Sequence, residues 1–116
     1  MGKLLIAFLL VVTVHATAQA SQTHGPDCSG SWPTNMAQAT LKNEGLLNNE
    51  EIDFTKTKTT RLASEKVGKD RWHQVYFVTF YKRFGDRIQA VVVHDASIEE
   101  CSVTGVRVYV VSRLLE

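Results

Sequence analysis

The run Arg71-Trp72-His73-Gln74-Val75-Tyr76-Phe77-Val78-Thr79-Phe80-Tyr81-Lys82 constrains this chain more than any other segment. Aromatic and β-branched residues occupy both of its alternating sets, so the run is expected to form a central strand rather than an edge. Phe84-Gly85-Asp86 separates it from a second apolar run, Ile88 to His94. A glycine at that reversal marks a short hairpin. Asp95-Ala96-Ser97-Ile98-Glu99-Glu100 reads as a longer connection. Beyond it Cys101 is expected at the head of a last strand, in which Val106, Val108 and Val110 alternate with Arg107, Tyr109 and Val111, one side on the core and the other partly wet.

The first half is less patterned. Ser21 to Gly30 is polar and contains Gly25-Pro26, as an extended leader would. Ser31-Trp32-Pro33-Thr34-Asn35 reads as a turn. Thr34 or Asn35 then caps a short helix over Met36–Lys42 that Gly45 ends, or the segment is a strand. Ile52 to Thr60 has the threonine-rich alternation of an exposed strand, and Arg61 to Gly68 either extends it or forms a helical turn. The predicted fold class is α+β: mostly an antiparallel β meander of three to five strands, with a short N-terminal helix or irregular layer and one disulfide.

Lys3 followed by the apolar stretch Leu4–Val12 and then Ala18-Gln19-Ala20 reads as a secretory signal peptide over residues 1–20, cleaved after Ala20. The apolar stretch falls short of the roughly 20 residues a membrane span needs. The mature chain, residues 21–116, suffices for a single small domain. Export to the periplasm is expected, with secretion as the alternative, and in either compartment Cys28 and Cys101 are expected to pair. Closing that loop would stabilise the fold by roughly 4 kcal/mol in the chain-entropy model.

Charge is unevenly spread. Between Lys56 and Arg87 nine basic residues face three acidic ones, while the rest of residues 21–116 holds nine acidic residues against Lys42, Arg107 and Arg113. A dipolar chain of this kind steers a charged partner. Two loops stand out as partner-binding segments: the basic tip with Arg83, Phe84, Asp86 and Arg87, and the acidic loop with Asp95, Glu99 and Glu100. Phe84 is either an apolar anchor ringed by arginines or folds back on the sheet. An exposed edge strand leaves a homodimer open.

No nucleophile elbow, zinc-protease, phosphate-loop or calcium-loop motif is present, so no catalytic residue, metal ligand or cofactor site is assigned. Adjacent strand residues point to opposite faces, so His94 and Asp95 do not address one ligand unless the strand has already ended. Nucleic acid is a poor partner for an exported chain of this charge without an aromatic-basic motif. With its signal, its β-rich domain of about a hundred residues and its distant cysteine pair, the chain resembles small periplasmic proteins of Gram-negative bacteria. Ser31-Trp32-Pro33-Thr34-Asn35-Met36 and Asp95-Ala96-Ser97-Ile98-Glu99-Glu100-Cys101-Ser102 have the look of family signatures. That group includes inhibitors and immunity proteins that neutralise toxic enzymes, lipases delivered by type VI secretion among them. The resemblance implies a protein partner, although the Ser-Gly-rich inhibitory loop of the periplasmic lysozyme inhibitors is missing here. The competing expectation is an envelope protein that binds a small ligand, metal or lipid on the Trp72/Tyr76/Phe80 face.

Overall fold

In the computed structural model the described residues are 2, 11–13 and 24–111. The expected signal peptide and the last five residues therefore lie almost wholly outside them. A helix α1 (Trp32–Asn43) precedes four strands, β1 (Lys58–Gly68), β2 (Arg71–Tyr81), β3 (Arg87–Ala96) and β4 (Arg107–Val111). The strands form one antiparallel sheet in the order β1-β2-β3-β4, so β2 is interior, as its composition requires.

Alternation decides what faces inward. Trp72, Gln74, Tyr76, Val78 and Phe80 of β2 are all buried, and Ala90, Val92, His94 and Ala96 of β3 lie opposite them. Ala37 and Leu41 of α1, with Leu47 and Ile52 from the following segment, close this face into the core. No described helix is long and apolar enough to cross a membrane.

The boundaries correct the sequence reading in four places. The helix begins at Trp32, within the expected turn, because Pro33 sits in its first turn, where no amide donor is needed and its fixed φ suits the helix. Gly45, at φ +72°, ends it. The strand expected from Ile52 starts only at Lys58. Before it the side chains of Asn48 and Asp53 capture the amides of Glu50 and Thr55, folding Asn49–Glu51 and Phe54–Lys56 into 3-10 turns. Asp95 belongs to β3 rather than to the loop, and the last strand starts at Arg107, well past Cys101.

Residues 24–28 fall within the expected leader, but the structure packs them as a strap across the inner face. Arg61 donates to the carbonyls of Gly25 and Pro26, and Gln74 donates to Pro26 at 2.8 Å and to the Ser64 hydroxyl at 3.0 Å. Tyr76 donates its hydroxyl proton to Gln74 Oε1 and accepts the Cys28 amide at 2.9 Å. Each buried polar group of this chain of contacts is satisfied by the next, which is the condition for polar atoms to sit in a core. The strap ends in the Cys28–Cys101 disulfide, with 5.7 Å between the Cα atoms.

Candidate functional site

The β2–β3 hairpin tip is built on a restrained base. The Lys82 amide donates to Asp86 O at 2.7 Å, Asp86 Oδ1 accepts the Arg87 amide, and Gly85 supplies the left-handed φ of +87° that the reversal needs. The segment around Ile52 runs alongside. Asp53 donates its amide to Tyr81 O, Arg83 donates its own to Glu51 O at 2.8 Å, and Lys82 approaches the Glu51 carboxylate at 3.7 Å. A hydrogen bond from the Thr55 hydroxyl is the largest influence on the Asp53 carboxyl; with the nearby Lys56 and Arg83 it outweighs partial desolvation and holds the group below its ordinary range.

From this base Phe84 projects with 96% of its surface exposed, so it does not fold back on the sheet. Arg83, Asp86 and Arg87 around it are exposed too. Phe54, one residue beyond the contact with Tyr81, adds a second exposed aromatic ring at the same end. An apolar side chain held out on a buttressed turn and flanked by guanidinium groups has the makings of an interface anchor.

The acidic loop lies at the other end of the sheet. β2 spans ten residue steps between the two ends, about 33 Å at the usual rise, so the expected contact residues divide into two separate groups. Asp95 points outward from β3 and is occupied: its carboxylate accepts from Arg71 Nε at 2.8 Å and pairs with His73 Nδ1 at 2.6 Å. Burial alone would raise this carboxyl, but the bonds from His73 and Arg71 and the Arg71 charge more than offset it and hold it low. Ser97 and Glu100 close a turn on each other, and Asp70 accepts the Ile98 amide at 3.0 Å. Glu99 then lines a shallow depression of about 350 Å³ together with Lys66, Lys69, Asp70, Trp72 and Ile98, where charges of both signs meet.

His94, by contrast, is buried and stacks on Tyr76 with ring centroids 5.5 Å apart. Burial depresses its proton affinity, only partly countered by the carbonyl and carboxylate of Asp95. Its Nε2 has no partner among the described residues. No group of three or more His, Cys, Asp or Glu residues among those described is placed to hold a metal ion.

No family model matches this chain, and no curated protein or solved structure does either. The functional reading therefore rests on the geometry of its own surface.

The face expected to hold a small ligand, Trp72/Tyr76/Phe80, is closed by the helix and the strap; all three residues are at most 2% exposed. Sequence reasoning missed the Arg71–Asp95–His73 cluster. A register count finds it only when the reversal is centred on Phe84, one residue before the centre of the expected Phe84-Gly85-Asp86 turn: His73 then falls opposite Asp95, and Arg71 shares their parity.

Proposed function

We propose that this is an exported, periplasmic binding protein of the inhibitor or immunity type, which neutralises a toxic enzyme, such as a secreted lipase, by seating its β2–β3 hairpin tip at the mouth of that enzyme's active site. The observation that carries this reading is the exposure of Phe84 on a turn whose backbone is restrained on both sides. A preformed turn spends little conformational entropy on docking, so the contact area of the anchor is available for affinity. Lys82, Arg83 and Arg87 fit it to an apolar pocket with an acidic rim.

The acidic loop is a separate feature in this reading. Its charges are balanced locally by Lys66 and Lys69, which line the same depression as Glu99 and Asp70. That depression is also where the ligand-binding alternative now belongs, since it presents Ile98 and two lysines to solvent.

Immobilised protein, wild type and Arg83→Ala/Phe84→Ala, is exposed to extract of the source cells and the bound proteins are compared by mass spectrometry. The proposal expects an enzyme retained by wild type and lost from the double variant, with both proteins unfolding at the same temperature. Identical captured sets would remove the tip as the contact. A rise in unfolding temperature with a small anion or metabolite, abolished by Lys66→Ala, would favour the depression instead.

A further inference from the structure

β2 carries apolar residues in both of its alternating sets, yet the helix and the strap cover only one face of the sheet. On the outer face Val75 pairs with Val93 and Phe77 with Val91, all four only half-buried although they lie in the two interior strands. Ala63 on β1 and Tyr109 on β4 flank them, and Tyr109 is 52% exposed. We infer that a second copy of this chain packs on this face, outer sheet to outer sheet, about a two-fold axis.

The choice of occupant comes from the order of residues on the face. Counted along β2, four outward rows are centred on His73, Val75, Phe77 and Thr79. On β1 the first row holds Glu65 and the fourth holds Lys58. On β4 the second row holds Arg107 and the third holds Tyr109. A two-fold axis running across the strands between the second and third rows lays first on fourth and second on third. Glu65 then faces Lys58 of the second copy, Arg107 faces the ring of Tyr109, and Val75 and Val93 face Phe77 and Val91. Each contact occurs twice, as an isologous interface requires.

The surface is complementary to itself in charge, in apolar character and in a cation–π pair. Aligned sheets pack with a twist of about 30°, which long lysine, arginine and glutamate side chains can span.

The face measures roughly 20 by 20 Å at ordinary strand spacing. At about 400 Å² on each copy the contact falls below the stable-interface range and among weak, transient associations, so the dimer dissociates on dilution. The two hairpin tips lie at opposite ends of the assembly, which leaves both Phe84 side chains free.

Sedimentation equilibrium of the full chain, as purified after export, over a range of concentrations tests the assembly. The expected result is a reversible dimer. Lys58→Glu or Glu65→Lys alone should weaken it about tenfold through paired like charges, and the two together should restore wild-type affinity. Val91→Lys should give a folded monomer; if that variant unfolds, the exchange of the two exposed charges decides alone. A protein still monomeric at about 1 mM, a weak-affinity limit, would overturn the inference. So would a dimer indifferent to both charge reversals, including one broken instead by Val110→Pro on the β4 edge.

Discussion

Two residues show how little freedom the inner face allows. Gly25 holds φ +73°, and a Cβ added there would lie 2.6 Å from Cγ of Trp72. Gly25→Ala therefore meets both a left-handed backbone and the indole ring, and should cost about 2 kcal/mol, seen as a lower urea midpoint at unchanged slope. His94 makes the stability of the fold depend on pH. Its folded-state affinity for a proton lies below the ordinary value of 6.5, so the unfolded chain binds the extra proton. Its contribution is complete above about pH 6.5 and is lost as the pH falls through the depressed folded value. Asp95, held below its ordinary value of 3.8, titrates outside this window. Unfolding titrations between about pH 7 and pH 5 should slope for the wild type and flatten for His94→Phe, which keeps the ring on Tyr76. An equal slope in both would remove His94 as the titrating group. Neither residue's role is legible in the sequence, where Gly25 has the look of turn punctuation and His94 of a histidine near a loop.

At the level of elements, the parts with strict periodicity were readable and the parts governed by side-chain capture of the backbone were not. β2, β3 and their hairpin follow from alternation and one glycine. The delayed start of β1 depends on Asn48 and Asp53 taking nearby amides, a local competition that propensity alone does not register. β1 then changes parity at Leu62, which has no partner in β2 and is 58% exposed; Thr59 and Arg61 face inward before it, Ser64 and Lys66 after it. The strap was hidden for another reason: its binding groups, Arg61, Ser64, Gln74 and Tyr76, lie up to 48 residues away in sequence. The disulfide was legible from the expected export and the count of cysteines, and its place explains its use, since it fastens the end of the strap. Replacing both cysteines by serine should lower stability by up to roughly 4 kcal/mol. It should also wet Trp72, seen as red-shifted fluorescence of the native state. Unshifted fluorescence would mean that the hydrogen bonds alone hold the strap.

Across the whole molecule, the charge asymmetry read along the chain becomes two separated clusters. Lys66, Lys69 and Arg71 lie at one end of the sheet; Lys58, Lys82, Arg83 and Arg87 lie at the other. The first group meets Asp70, Asp95 and Glu99; in the second, Lys82 approaches Glu51 while Arg83 and Arg87 flank the exposed Phe84 in the hairpin. The proposed contact at the hairpin tip rests on that division and not on the net charge. Phe84→Ala should leave stability within about 0.5 kcal/mol of wild type, because the ring buries almost nothing in the free protein. The most direct test of the account is a turnover titration: the enzyme captured by the wild-type protein is assayed against increasing amounts of wild type and of Phe84→Ala. The account predicts that wild type abolishes turnover at equal stoichiometry while the variant needs a large excess. Turnover unaffected by the wild-type protein, or abolished equally by both, would contradict it.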